Sequence, residues 1–186
     1  MLELTRLQAE HKEWQERNFP DQKDHQPLLG ILEELGEICH AHLKAEQGIR
    51  GSESLHFEEK KDAIGDVMIY LANYCNRFGI NLQTTVGLSL DAINWHRTEA
   101  YGDLLLAFKH AGVMADMHYT MELAATPSMH HYFREKLLDS IRNMVFYLAK
   151  YSKANGISIK QAIFDTWEEV KKRDWRKNPE NGVAVG

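Results

Sequence analysis

The sequence predicts an all-α protein, and three observations carry that reading. Apolar residues recur at three- and four-residue spacing along almost the whole chain, the mark of amphipathic helices. Strand-like alternation is nearly absent. Only four prolines, at positions 20, 27, 127 and 179, interrupt 186 residues.

Taken in order, the spacing predicts helices over residues 2–18, 27–48, 55–79, 82–99, 101–125, 128–155 and 158–175. The first runs into a polar loop flanked by Pro20 and Pro27. The second is closed by Gly48 and Gly51. Gly79 and Gly156, after the third and sixth, read as helix C′ positions, where a left-handed backbone favours glycine. The ending NPENGVAVG is expected to be loose. The length suits one domain, or two small units packed as one.

Composition excludes several classes. Hydrophobic residues make up 44% of the chain, enough for a real core. The net charge is −5 and the pI about 6.1, with no basic stripe, so a protein built to coat nucleic acid is not expected. No apolar run approaches the roughly 20 residues a membrane span needs, and the first 19 residues are too charged for a signal peptide. Cys39 and Cys75 show no disulfide framework or ligand spacing. The expectation is a cytoplasmic protein with free thiols, binding neither nucleic acid nor membrane.

An internal repeat follows. DAIGDVMIYLANYCNRFGI (62–80) and DSIRNMVFYLAKYSKANGI (139–157) agree at 8 of 19 positions, including the Gly-Ile exit. This predicts a tandem, pseudo-dimeric bundle within one chain: a first repeat over 1–99, a degenerate second over 100–176, and a flexible tail over 177–186.

The third predicted helix poses a chemical problem. Val67 to Leu71 cover its whole circumference, as in a buried helix. Yet Asp62, Asp66 and Asn73 share one stripe about 40° wide. A buried carboxylate needs a partner or it protonates. The second helix offers Glu33, Glu34 and Glu37 opposite an apolar side of Ile31, Leu32, Leu35 and Ile38. Alone, that is an ordinary solvated face. Facing the aspartates across a helical hairpin, Glu34, Glu37 and Asp66, with Asp62 nearby, would converge on one point. Oxygen ligands of this kind suit Mg²⁺ or Mn²⁺, not a structural zinc.

GILEELGEICHAHLKAEQGIRG followed by KDAIGDVMIYLANYC resembles the MazG-like, all-α nucleoside triphosphate pyrophosphohydrolases, whose motif is EExxE, a spacer, then ExxD. Glu33-Glu34-Leu35-Gly36-Glu37 matches the first half. Asp66 matches in the second, but Ala63 stands at the glutamate position. Asp62 lies one residue earlier, and the DAIGD form resembles one in related branches. EWQERNFP and WEEVKKRDWRKNP look like that branch too, so the resemblance covers about residues 10–80 and 165–179.

The resemblance implies Mg²⁺-dependent hydrolysis of a nucleoside triphosphate, between its α- and β-phosphates, to the monophosphate and pyrophosphate. It implies Glu34, Glu37 and Asp66 as metal ligands, Asp62 as a ligand or as a base beside the ligands, and Glu33 as water-orienting base or solvated residue. Lys44, on the Glu37 face, is a phosphate contact or a surface lysine. Asn94 and Arg97 close the site or compensate a helix end. Trp14, Phe19, Tyr70 and Trp95 stack on a base or fill the core. Neighbouring subunits commonly line the base pocket in this family, which leaves a homodimer open and suggests the second repeat for that role.

At the offset of the repeat, Asp66 becomes Asn143; with a one-residue gap, Glu34 becomes His110 and Glu37 becomes Val113. One metal site per chain, in the first half, is therefore expected. Two other readings stand beside the enzyme. One is a non-catalytic nucleotide- and metal-binding module, suggested by Ala63. The other is a ferritin-like di-metal bundle, suggested by the ExxH pair Glu37/His40; such a bundle needs a second ExxH on a facing helix, and the other one, Glu53/His56, falls at a loop edge.

Overall fold

The structure, a computed structural model, describes residues 4–87 and 99–183. Every regular element among them is a helix: α1 (Leu4–Asn18), α2 (Gln26–Gln47), α3 (Glu53–Arg77), α4 (Leu82–Val86), α5 (Ala100–Glu122), α6 (Pro127–Ala154) and α7 (Ile159–Val170). The helix predicted over 82–99 is described only as far as Gly87. None of the described helices is long and apolar enough to cross a membrane.

Local chemistry sets the ends. Ser52, Thr126 and Ser158 each accept a hydrogen bond from the backbone N–H three residues on, which caps α3, α6 and α7. Gly48, Gly79 and Gly156 have φ of 63°, 58° and 71°, as expected of residues that end helices in the left-handed region. α7 stops at Val170, five residues before the predicted end. Residues 171–182 form turns: Asn178 N–H donates to the Asp174 carbonyl at 2.9 Å, and Asp174 N–H to that of Gly182 at 2.6 Å. Asn178 and Gly182, in the ending expected to be loose, are thus hydrogen-bonded back on the chain after α7.

α2 packs on α3 and α5 on α6, as two helical hairpins, while α1 and α7 lie against α3. α3 is the central element, with Ile64, Val67, Met68, Leu71, Tyr74 and Cys75 fully buried. Gly65 lets α7 approach, since a Cβ there would collide with Thr166 and the Ala162 carbonyl.

The two hairpins exchange matching contacts. Tyr74 of α3 bonds His118 Nδ1 of α5, and Tyr151 of α6 bonds His42 Nδ1 of α2, both at 3.2 Å. His42 and His118 each face a glutamate four residues on, Glu46 and Glu122. After α3, Ile80 N–H donates to the Cys75 carbonyl; after α6, Ile157 N–H donates to that of Ser152, again both at 2.8 Å.

Candidate functional site

The glutamates of α2 and the aspartates of α3 meet on one side of the first hairpin. In α2, Ile31, Leu35 and Ile38 are fully buried against α3. This turns Glu34 to the margin of the interface, half-buried, and leaves Glu33 and Glu37 exposed. In α3, Ala63 and Val67 are buried, so Asp66 is half-buried beside them and Asp62 reaches solvent. Thr166 Oγ1 of α7 donates to Asp62 at 3.5 Å. Gly30 lets the Tyr70 ring lie on the α2 backbone, where a Cβ would stand 2.5 Å from it.

The carboxyls of the two helices act on one another electrostatically. Burial pushes the Glu34 carboxyl up to about 8, helped by the charges of Asp66, Glu37, Glu33 and Asp62. Burial likewise raises Asp66 to about 7, with Asp62 and Glu37 adding to the rise and the Arg173 guanidinium opposing it. Ionising one of these carboxyls therefore opposes ionising its neighbours. As the side chains stand, no group of three or more His, Cys, Asp or Glu among the described residues is drawn together tightly enough to hold a metal ion. Mutual repulsion favours such a splayed set. The donor chemistry nevertheless fits a hard divalent cation: carboxylate oxygens alone, from two facing helices, in excess over the neighbouring positive charge.

Glu33, Glu34 and Asp66 form one end of a cavity of about 830 Å³ between α1, α2, α3 and the segment after α7. That volume is in the range of small-molecule sites. Trp14, Phe19, Tyr70 and Trp175 supply aromatic wall, Gln15, Gln22 and Asn73 supply amides, and Arg173 supplies positive charge. Two bonds pin the far wall to α1: Trp14 Nε1 donates to the Arg173 carbonyl at 3.0 Å, and Trp175 N–H to Asn18 Oδ1 at 2.8 Å. Trp14 and Phe19 meet edge to face at 5.8 Å, and the Phe19 and Trp175 ring centroids are 6.4 Å apart.

Three of the four predicted stacking aromatics, Trp14, Phe19 and Tyr70, therefore line the cavity. Trp95, Asn94 and Arg97 lie outside the described residues. Lys44 is not among the lining residues, and its ammonium donates to Gln47 Oε1 at 3.1 Å. Of the described residues beyond α5, only Val170, Arg173 and Trp175 reach the cavity. The expected second repeat, residues 100–176, thus reaches the cavity through α7 and the segment after it; α5 and α6 do not line it, because α7 is the element that lies against α3 beside the site. His110 stacks on Tyr147 at 5.6 Å, and burial with the Lys109 charge lowers its pKa. The ExxH at Glu53–His56 is structural: His56 Nε2 bonds the Ile49 carbonyl and Nδ1 faces Glu59, both at 3.0 Å.

Sequence reasoning missed Arg173, Trp175, Gln15 and His11. Their signal was the basic and aromatic run KKRDW just past the last apolar helical position, and an α1 face rich in amides and rings. Comparison with protein-family models, with curated proteins and with solved structures gives no match for the chain.

Proposed function

We propose that the protein is a Mg²⁺-dependent nucleoside triphosphate pyrophosphohydrolase of MazG-like type, splitting the α–β anhydride of a ribo- or deoxyribonucleotide. The observation that carries this reading is a single cavity with carboxylates at one end, amides at the other and aromatic rings in its wall. Such a cavity accommodates a charged polyphosphate and a flat base at once. The motif resemblance supports it independently.

Glu34, Glu37 and Asp66, with Asp62 beside them, would hold the cation. Mg²⁺ there would neutralise phosphate charge and make an attacking water more acidic. Arg173 faces the phosphates from the opposite wall and supplies fixed positive charge. Glu33, exposed at the cavity edge, orients the water and takes its proton. Water oxygen adds to phosphorus as the bridging P–O bond breaks, leaving nucleoside monophosphate and pyrophosphate. Trp14, Phe19 and Trp175 hold the base, so that the anhydride is presented to the carboxylate end.

The fold reading that goes with this is a tandem repeat. Crossed Tyr–His pairs, with the tyrosines 77 and the histidines 76 residues apart, are what an isologous interface gives when two copies are joined in one chain with a one-residue gap. With His110 and Asn143 in place of Glu34 and Asp66, the second copy would bind no metal. Ala63, where the family carries a glutamate, favours the rival reading of a binding module without turnover.

The experiment is a panel of common and modified nucleoside triphosphates with Mg²⁺ or Mn²⁺, read by pyrophosphate release. Metal-dependent release from at least one substrate is expected. Nucleotide binding with no release from any of them would leave the binding module.

A further inference from the structure

The amide end of the cavity holds two buried polar atoms with no hydrogen-bond partner among the described residues, Asn73 Oδ1 and His11 Nδ1. Both residues are 2% exposed, and both line the cavity. Buried polar groups are nearly always paired, so two orphans in one cavity point to a ligand that pairs them.

The orientation of the Asn73 amide follows from its neighbours. Gln15 Nε2 donates to the Phe19 backbone carbonyl at 3.0 Å, and a carbonyl can only accept. Gln15 Oε1 must therefore face Asn73, which donates Nδ2 to it at 3.3 Å and to Gln22 Oε1 at 3.0 Å. With both Nδ2 protons committed, Asn73 offers only an acceptor. Gln22, having accepted through its oxygen, keeps its Nε2 as a donor beside it. His11 is held neutral, its pKa lowered to about 4 by burial, so either ring nitrogen can donate or accept as the ligand requires.

Asn73 also lies at a telling distance along α3. It is seven residues beyond Asp66 on the same stripe, a rise of about 10 Å. That is comparable to the span from the phosphate of a nucleotide, across its sugar, to the far edge of its base.

We propose that Asn73 is the base-reading residue of this site, its Oδ1 accepting an N–H from the edge of a nucleobase, with the Gln22 amide nitrogen donating to the acceptor next to it. The proposal rests on the nucleotide reading above and adds what that reading lacks, the chemistry that selects the base. The required edge is a donor beside an acceptor. An exocyclic amine next to a ring nitrogen has it, as in cytosine or adenine, and so does a ring imide next to a carbonyl, as in uracil or thymine.

The test compares each base with an analogue that lacks the donor. The pairs are cytidine against 2-pyrimidinone ribonucleotides, adenosine against unsubstituted purine ribonucleotides, and uridine against N3-methyluridine ribonucleotides. Monophosphates are titrated by the fluorescence of Trp14 and Trp175, and triphosphates are assayed by pyrophosphate release. In at least one pair, loss of the N–H should weaken binding by about 10- to 100-fold, as expected when a buried acceptor is left unpaired. The pair affected tells amine from imide. In Asn73→Leu the two members should differ by no more than about twofold.

Binding that ignores the N–H in every pair overturns the proposal, as does discrimination that survives in Asn73→Leu. The analogue pairs on the unaltered protein decide the matter even if that variant does not fold. Binding that depends on the N–H without pyrophosphate release would sink the enzymatic reading and leave this one standing.

Discussion

Replacing Asp66 by Asn should make the metal-free protein more stable, not less. The sign follows from the raised pKa. Asp66 sits at about 7 in the fold against an ordinary 3.8. Ionisation therefore favours the unfolded chain, and stability falls as pH climbs from about 4 to about 7, then levels off. At about 1.36 kcal/mol for each tenfold, the shift caps the penalty at about 4 kcal/mol. Asp66 is only half-buried, and screening by solvent reduces this to about 1–2 kcal/mol. An Asn keeps the shape and has no charge to lose. At pH 8 in EDTA, D66N should melt about 2–8 °C above the wild type, using about 2–4 °C per kcal/mol for a chain of this size. At pH 4 the two should coincide. Mg²⁺ at a hundredfold over its dissociation constant should raise the wild type by about 2.7 kcal/mol and leave D66N unmoved. Thermal unfolding followed by circular dichroism reads all three. A D66N that is less stable than wild type at pH 8, or a difference that does not change with pH, would refute the electrostatic account of this helix.

Three further substitutions test the architecture around the site. Gly65→Ala places a methyl into Thr166 where α3 meets α7 and should cost about 1–3 kcal/mol in urea unfolding. Gly30→Ala pushes the Tyr70 ring off α2 and into the cavity. It should weaken nucleotide binding by about tenfold or more in a fluorescence titration, beyond any loss of stability. Asp103→Ala breaks the buried ion pair with Lys150, 2.9 Å apart, and should cost about 3–5 kcal/mol, read by the urea midpoint, without altering nucleotide affinity in the folded protein.

Much of this organisation was legible in the sequence because it rests on short-range chemistry. Helix bounds follow from apolar spacing and from Gly48, Gly79 and Gly156, all of which act within one turn of themselves. The acidic stripe was legible too, since Asp62 and Asp66 are helical neighbours and the hairpin that faces them with Glu34 is formed by adjacent helices. Arg173 was not, because contacts between distant residues place it across from Asp66, among them the Trp14 bond to its carbonyl, between residues 159 positions apart. Asn73 was visible as a member of the stripe. Its conversion into a pure acceptor depends on Gln15 and Gln22, which lie 58 and 51 residues away. The end of α7 at Val170 was overrun because WEEVKKRDW keeps helical spacing; turns anchored by Asp174 and Gly182 override it.

The most direct test of the central claim is pyrophosphate release by wild type and D66N, side by side, with Mg²⁺ and the best substrate of the panel. The variant should be folded, and at pH 8 without metal it should be the more stable of the two. The account predicts that D66N loses at least about a hundredfold in kcat/KM, or about 2.7 kcal/mol of transition-state stabilisation. Full activity in D66N would contradict it, and with it the assignment of these carboxylates to a metal.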